Sequence, residues 1–304
     1  MRVLVLAEKK KIAENFVKAF LEKGITAKYL RLSKVMLVSK KDKTEIKLVG
    51  SNIDNFDAVF LQARSSLAPF VEPLLEELTN QGFYVNSKKG SYYLSDNEPY
   101  TFVSLAINNV KTPKTLTSGS GKNIERVSKN ISYPLLVKSF VGKKAQQAII
   151  ANNGKELNSF VKSIKSDIEG FMLREYIDEP VISCIVVGDE VFSVKRKTKD
   201  QVVVPIDKGE YYKLPDSDKE NVLNATKVIG LDIAKVDLVK GRVISIEPNI
   251  NLKNFNKICS ADIESRIVDF YLSKENEIKR KSIFSELKDI RSIFSKTIFG
   301  RFFK

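Results

Sequence analysis

Residues 231–249 read Leu-Asp-Ile-Ala-Lys-Val-Asp-Leu-Val-Lys-Gly-Arg-Val-Ile-Ser-Ile-Glu-Pro-Asn and carry the strongest site signal in the chain. Two β-rich runs in this stretch flank Lys240-Gly241, which predicts a pair of strands joined by a turn. When the two strands pair, the carboxylates of Asp237 and Glu247 can project from one face. Glu247 and Asn249 are two positions apart, so on an extended chain their side chains point the same way.

Two carboxylates and an amide oxygen are hard oxygen donors. They suit magnesium that bridges phosphate groups. The alternative is that they are ordinary acids at strand ends, which the spacing taken alone favours. Both interpretations stay open at this point.

The residue types that are missing exclude several kinds of site. The sequence has 0 His, which removes Ser-His and Cys-His nucleophile pairs, histidine bases and histidine metal sites. Its 2 Cys, Cys184 and Cys259, are too few for a disulfide framework or a thiolate zinc site. A metal would therefore be oxygen-ligated, which makes magnesium the leading candidate.

The charge and the N-terminus suggest partners and a compartment. The 51 basic and 37 acidic side chains give a net charge of +14, which suits nucleic acid, an anionic membrane or a nucleotide. The alternative is a solvated, lysine-rich surface.

The apolar run 3–7 precedes the charged run 8–11, an order that is wrong for a signal peptide. No apolar run is long enough to span a membrane, so we expect a cytoplasmic protein.

The first part of the chain alternates between strand and helix patterns. The apolar runs 3–7 and 58–61 indicate buried strands, and apolar residues at helical spacing follow them at 12–20 and 69–78. This alternation predicts a parallel α/β sheet over about the first ninety residues. Two β-rich runs within 35–49 predict a hairpin.

A later apolar strand, predicted over Leu135–Phe140, contains Lys138 and precedes a turn at 142–144. The Lys138 ammonium needs an acceptor or an anion nearby, because burying it alone is costly. The alternative is an edge-strand lysine that faces water. The Gly/Ser-rich segment 115–123 lacks the first glycine and the final Ser or Thr of a P-loop, so it is predicted to be a flexible loop.

Six short motifs carry a family resemblance through their order and spacing: 55–59 with Arg64, 133–138, 174–177, 185–191, 231–238 and 247–249. In this order and spacing they resemble the ATP-grasp superfamily, most closely its RimK-type ATP-dependent amino-acid ligases, over about residues 1–272. The resemblance implies a mixed α/β protein in which two α+β lobes clamp ATP. The implied divisions are a parallel α/β lobe at 1–92, a small ATP-grasp lobe at 93–178, a metal-binding lobe at 179–274 and a helical tail at 275–304.

The resemblance also implies roles for individual residues. Family chemistry makes an acylphosphate from a carboxylate and ATP, which an amine then attacks to give an amide. The substrates and any second copy of the chain are not indicated by the motifs. The implied nucleotide-binding residues are Lys138, Lys143, Glu175, Tyr176 and Ile177, and the implied magnesium ligands are Asp237, Glu247 and Asn249.

Some positions depart from the family pattern. Glu98 stands where the family usually has a second ATP-binding lysine. The family also usually has three glycines in the loop that covers the phosphates, after the strand that contains Lys138. Only Gly142 remains of these, although Lys143 and Lys144 supply positive charge there. The retained metal-type ligands favour an active carboxylate–amine ligase. The lost lysine and glycines favour a degenerate ATP-grasp protein that binds nucleotide or acts as an interaction module. Both function classes remain open.

The tail at 275–304 has apolar residues at steps of four, three, four and four from Ile283 to Ile298, which predicts an amphipathic helix. It also carries eight basic residues against four acidic ones. One interpretation is that this helix packs on the protein's own core or on a second copy. The other is that it docks on an acidic partner or an anionic membrane.

Overall fold

The protein is described here from a computed structural model, over residues 1–41, 43–121, 124–140, 148–164, 170–199, 202–203 and 205–278. Its N-terminal part is the predicted parallel sheet, with strand order β2-β1-β5-β6. Alternation along β1 sends Val3 and Val5 toward α1, and Leu4 and Leu6 toward α2. The elements are β1 Arg2–Ala7, α1 Lys10–Glu22, β2 Thr26–Arg31, the predicted hairpin of β3 Val35–Ser39 and β4 Thr44–Leu48, then β5 Ala58–Gln62, α2 Ala68–Asn80 and β6 Tyr84–Val85.

The second part is an antiparallel sheet with strand order β7-β10-β8-β9. Its elements are α3 Ser91–Asp96, α4 Glu98–Ile107, β7 Thr115–Ser118, α5 Ile124–Ser128, β8 Leu135–Phe140, β9 Ala148–Ala151, α6 Gly154–Ser163 and β10 Gly170–Glu175. The prediction of a flexible loop over 115–123 is wrong for its first half. Thr115 to Ser118 pair with Phe171 to Arg174, because a neighbouring strand offers backbone partners that a local pattern does not reveal.

The third part is a five-stranded sheet with order β15-β12-β11-β16-β17. Cys184 and Val186 of β11 face α7, whereas Ile185 and Val187 face α8 and α9, so both sides of the sheet are covered. The elements are β11 Val181–Val187, β12 Glu190–Arg196, the short pair β13 Thr198–Lys199 and β14 Val202–Val203, then β15 Glu210–Tyr211, α7 Asp216–Ile229, β16 Ile233–Val239, β17 Arg242–Glu247, α8 Phe255–Cys259 and α9 Ile263–Ser273.

Backbone and side-chain bonds fix the N-terminal sheet to the third sheet. The Lys88 N–H donates to the Gly230 carbonyl at 2.8 Å. The Tyr84 hydroxyl donates to the Asp232 carboxylate at 2.6 Å, and the Tyr271 hydroxyl of α9 donates to the Val59 carbonyl at 2.9 Å. These contacts hold the third sheet in a fixed position beside the N-terminal lobe.

The description ends at Ile278, which is buried in the core shared by α1 and α9. The predicted amphipathic helix from 279 onward lies outside the described residues. Among the helices that the structure does describe, none has the length and apolar character needed to cross a membrane.

A buried carboxylate supports the start of α3. Glu72, on α2, is 4% exposed and accepts hydrogen bonds from the N–H groups of Gly90 and Tyr92, both at 2.6 Å. Glu72→Ala should lower the free energy of unfolding by about 3 kcal/mol, because it leaves buried donors without acceptors. Urea denaturation measures this change.

The matched control is Glu76→Ala, one turn further along α2. Glu76 pairs with Lys89 at 2.5 Å, but both side chains are exposed, so the change should stay within about 0.5 kcal/mol. Equal effects of the two substitutions would contradict the assigned role of Glu72.

Candidate active site

Two cavities lie between the antiparallel sheet of the second part and the sheet of the third part. Their volumes are about 240 and 310 Å³, and Arg174 and Ile244 line both of them. The smaller cavity contains the segment that leaves β10, and the larger contains Lys138 and Glu247. The two cavities therefore form one cleft, divided where Arg174 meets Ile244.

The smaller cavity has apolar side chains from both sheets in its walls. Leu136 and Ile150 come from one sheet, and Val239 and Ile244 from the other. Three of the implied nucleotide-binding residues, Glu175, Tyr176 and Ile177, also line this cavity, so the structure brings them together. An apolar slot of this shape suits a flat aromatic ring.

Within this segment two polar groups are already engaged and one backbone N–H is available to a ligand. The Glu175 carboxylate accepts from Arg242 at 2.8 Å, and the Tyr176 N–H donates to the Pro134 carbonyl at 3.0 Å. In contrast, the Ile177 N–H meets no acceptor among the residues that the structure describes. It is the group that an acceptor atom of a bound ring could use.

Lys138 lies on β8, an inner strand of its sheet, so the edge-strand interpretation is wrong. Its ammonium is 2.5 Å from Glu98 Oε2, and the two side chains are 23% and 24% exposed. Glu98 therefore lines the larger cavity as an ion-pair partner of the strand lysine. A cleft ligand with negative charge would compete with Glu98 for that ammonium.

Arg174 is a further site residue that the sequence analysis missed. Its Nη1 donates to Glu98 Oε1 at 2.8 Å and to the Ile244 carbonyl at 3.1 Å, and its guanidinium lies over the Phe102 ring. Burial lowers the pKa of Arg174, and the attraction of Glu98 offsets part of that effect. An arginine within the otherwise apolar strand Phe-Met-Leu-Arg was the available signal.

A bulge supplies the carbonyl that Arg174 uses. Asp237 pairs with Ser245, but the next residue, Leu238, pairs with Val243, so Ile244 is an extra residue in β17. An extra residue leaves the regular ladder of hydrogen bonds, and its carbonyl is then free to accept from Arg174. Through this bulge, Arg174 of one sheet is hydrogen-bonded to the other sheet, at the point where the two cavities meet.

The predicted carboxylates do share a face, as the paired strands β16 and β17 require. Lys235 stands directly opposite Glu247, and Asp237 is two positions further along the same strand. The Lys235 ammonium lies between them, 3.0 Å from Asp237 Oδ2 and 3.2 Å from Glu247 Oε1. Burial alone would lower the pKa of Lys235, but attraction to the two carboxylates outweighs it and raises the pKa.

Asp237 has further contacts that hold its carboxylate in place. The Ser183 hydroxyl donates to Oδ1 at 2.5 Å and Arg196 Nη2 donates to the same atom at 3.3 Å. The Ser245 hydroxyl lies 3.3 Å from Oδ2. Asp237 lies in the middle of β16 and is 8% exposed. It is therefore not an ordinary acid at a strand end, which was the alternative interpretation of the sequence.

Asn249 follows Glu247 on an anchored segment. The next N–H group, that of Ile250, donates to the buried Gln62 side chain at 3.0 Å, which ties this segment to the N-terminal lobe. The donor set of Asp237, Glu247 and Asn249 fits a hard divalent cation in chemistry. Across the described part of the chain no group of three or more His, Cys, Asp and Glu residues could hold a metal, so the amide would be needed.

The phosphate-loop residues cannot be placed in this way. Lys143 lies outside the described residues, as do Gly142 and the rest of 141–147. The role expected of Lys143 therefore stays a prediction.

Comparisons with known proteins identify the family and agree with the fold. The RimK-like ATP-grasp domain matches residues 96–271. A probable alpha-L-glutamate ligase of Haemophilus influenzae is 23% identical over 232 residues, which covers 72% of this chain and 76% of that protein. Another probable alpha-L-glutamate ligase, from Coxiella burnetii, is 20% identical over 297 residues, which covers 93% of this chain and 99% of the relative.

Solved structures show the same fold at lower identity. The ATP-grasp ligase PsnB in complex with a minimal precursor has a TM-score of 0.70 at 13% identity, covering 90% of this chain and 99% of its own. A RimK domain protein from Sphaerobacter thermophilus has a TM-score of 0.67 at 15% identity, covering 89% and 99%. These matches confirm the predicted resemblance and the predicted mixed α/β fold class.

The Glu98 ion pairs make a testable contribution to the stability of the protein. Glu98→Gln should lower the free energy of unfolding by about 2–3 kcal/mol, because Lys138 and the buried Arg174 lose their carboxylate. ATP should then raise the melting temperature of the variant more than that of the wild type, because both cations become available to phosphate. Thermal melts with and without ATP measure both effects.

Asp96→Asn is the matched control. Asp96 lines the same cavity, but its carboxylate accepts only a 3.3 Å hydrogen bond from the Ser65 hydroxyl among the described contacts. If Glu98→Gln and Asp96→Asn behaved alike in both melts, the assigned role of Glu98 would be wrong.

Proposed function

Because the chain belongs to the RimK-like ATP-grasp family, we propose that it uses ATP to join a carboxylate to an amine in the cleft described above. The observation that carries this proposal is the division of the cleft. A cavity with apolar walls and a free backbone N–H lies at one end. Lys138 and Glu247 line the cavity at the other end, and Asp237 lies beside Glu247 across the Lys235 ammonium. This order matches the order of groups along a nucleoside triphosphate.

ATP would lie along the cleft with its adenine in the smaller cavity. Leu136 and Val239 would contact the two faces of the ring, and the Ile177 N–H would donate to a ring nitrogen. The triphosphate would then extend past Arg174 into the larger cavity, where Lys138 is. Phosphate oxygens would take the Lys138 ammonium from Glu98.

The reaction needs positioning and charge neutralisation more than an enzymatic nucleophile. The substrate carboxylate attacks the terminal phosphorus, ADP leaves, and an acylphosphate forms. The amine attacks the acyl carbon, phosphate leaves, and the amine loses a proton as the amide forms. A chain with 0 His can support both steps, since neither requires a histidine base on the protein.

Asp237, Glu247 and Asn249 are the residues that would hold magnesium at the phosphate end. Magnesium bound there would neutralise the charge that develops on the phosphate oxygens. Asp237 is held by Ser183 and Arg196, so its position is fixed before any ligand enters.

The substrate class is proposed from the relatives. The curated relatives are probable alpha-L-glutamate ligases, and PsnB is a ligase in complex with a precursor peptide. We therefore propose an amino acid, with glutamate as the first candidate, joined to an amine or carboxylate of a peptide or protein. The net charge of +14 suits an acidic partner. Docking of the tail on a second copy, an acidic partner or an anionic membrane stays a prediction.

A binding role without ligation is the second candidate, because Glu98 places a carboxylate beside the phosphate lysine. The two functions differ in one measurable product. A ligase releases ADP and phosphate in step with amide formation when both an amino acid and an acceptor are present. A binding module retains ATP and releases neither.

The direct test is ADP release over a panel of amino acids with peptide acceptors, with amide products identified by mass spectrometry. Lys138→Met should lower the rate by about 10²-fold, because one preorganised positive charge on the phosphates is lost. Lys155→Met, an exposed lysine on α6, should leave the rate unchanged.

ATP binding by calorimetry in the presence of magnesium tests the carboxylates separately. The double variant Asp237→Ala/Glu247→Ala should bind magnesium-ATP more weakly than the wild type. Equal binding would mean that the metal ligands are assigned incorrectly. ATP binding with no ADP release for any substrate pair would favour the binding module.

A further inference from the structure

We propose that Lys235 is an internal cation that occupies the magnesium site and competes with magnesium for Asp237 and Glu247. This inference rests on the metal ligands assigned under the proposed function. It goes beyond that function because it assigns to this chain a residue that controls how tightly the metal binds.

The position of the ammonium carries the inference. Lys235 Nζ lies 3.0 Å from one carboxylate and 3.2 Å from the other, so it bridges them as a metal ion would. The side chain is 20% exposed, and its Cα stands opposite that of Glu247 in the ladder. Val236 and Leu238 pack toward α7, which leaves Lys235 and Asp237 on the opposite face.

The charges around Asp237 and Glu247 are balanced without a metal. The two carboxylates are matched by two cations, Lys235 and Arg196, with Arg196 Nη2 at 3.3 Å from Asp237 Oδ1. A divalent cation bound by the same carboxylates would lie in close contact with the Lys235 ammonium. At so short a distance two positive charges repel each other strongly. The ammonium must therefore move away before a divalent cation can bind.

The two cations differ in their ability to move. Arg196 is 12% exposed, and its planar guanidinium contacts Asp237 from β12, with β11 between the two strands. Lysine has a flexible stem of four carbons and a single compact charge. Glu247, which Lys235 contacts, lines the larger cavity that Lys138 also lines. A displaced Lys235 ammonium would therefore lie near the phosphates of bound ATP, so metal and nucleotide should bind cooperatively.

The test is titration of the whole protein with Mn²⁺ without nucleotide, following free Mn²⁺ by electron paramagnetic resonance. Lys235→Met should bind Mn²⁺ at least about tenfold more tightly than the wild type, a difference of about 1.4 kcal/mol. Adding Glu247→Gln to Lys235→Met should abolish that gain, because the gain belongs to the carboxylate that Lys235 covers.

Lys240→Met is the matched control for charge. Lys240 lies on the turn between the same two strands, but it pairs with Glu179 at 3.0 Å and does not contact the site. It removes the same charge, and its Mn²⁺ affinity should stay within about twofold of the wild type. An equal gain in Lys240→Met and Lys235→Met would mean that overall charge, not the bridging ammonium, controls binding, and would overturn the inference.

A thermal melt keeps the test decisive if Lys235→Met is less stable. Mn²⁺ should raise the melting temperature of this variant more than that of the wild type, because a ligand that binds only the folded state stabilises it. An equal Mn²⁺ response of the two proteins in both measurements would overturn the inference. Release of ADP is measured in a separate assay. The two assays therefore distinguish an active ligase whose Lys235→Met variant shows no tighter Mn²⁺ binding from a protein whose variant binds Mn²⁺ more tightly but which has no ligase activity.

Discussion

Compensation of buried charge is the constraint on which the cleft depends. Three carboxylates at or beside the cleft, Glu98, Asp237 and Glu247, each meet at least one cation, and the first two are also largely shielded from water, whereas Glu247 is 52% exposed. Glu98 meets Lys138 and Arg174, and Asp237 with Glu247 meets Lys235. Charges that leave water are costly unless they are paired and hydrogen-bonded, so the pairs with Glu98 permit Lys138 and Arg174 to lie where the two sheets meet. Under the proposed function, a polyanion with its metal would exchange with these internal pairs.

The fold places members of these pairs on separate elements. Glu98 begins α4, Lys138 and Arg174 lie on adjacent strands of one sheet, and the other carboxylates lie on β16 and β17. The bulge at Ile244 links the sheets, because Arg174 reaches its carbonyl across the cleft at 3.1 Å. A change in strand register would separate these groups, since a shift of one residue sends each side chain to the other face.

Periodicity in the sequence predicted much of the fold and part of the site. The apolar residues of β1, α1 and α2 recur with the spacing of the faces that each element buries. The parallel sheet was therefore predictable from the sequence. The common face of Asp237 and Glu247 followed from strand geometry alone. The strand at Thr115–Ser118 was not predictable, because it depends on pairing with β10, and its Gly/Ser-rich surroundings favour a loop. The boundaries of the lobes expected at 1–92, 93–178 and 179–274 stay predictions.

The internal cations were the part that sequence reasoning could not supply. Lys235 and Arg174 each interrupt an apolar strand, which signals a special environment but does not name the partner. The partner depends on register between distant strands, as in the opposition of Lys235 and Glu247. Glu98 was placed near the phosphates only through the family pattern, and its pairing with Lys138 required the three-dimensional arrangement.

The central claim is that ATP and magnesium replace internal ion pairs in one continuous cleft. A crystal structure with a non-hydrolysable ATP analogue and magnesium tests it most directly. The account predicts adenine against the Ile177 N–H, the Lys138 ammonium moved from Glu98 to phosphate oxygens, and magnesium between Asp237 and Glu247 with Lys235 displaced. A nucleotide bound outside this cleft, or one bound with Lys138 still on Glu98 and Lys235 still bridging both carboxylates, would contradict it.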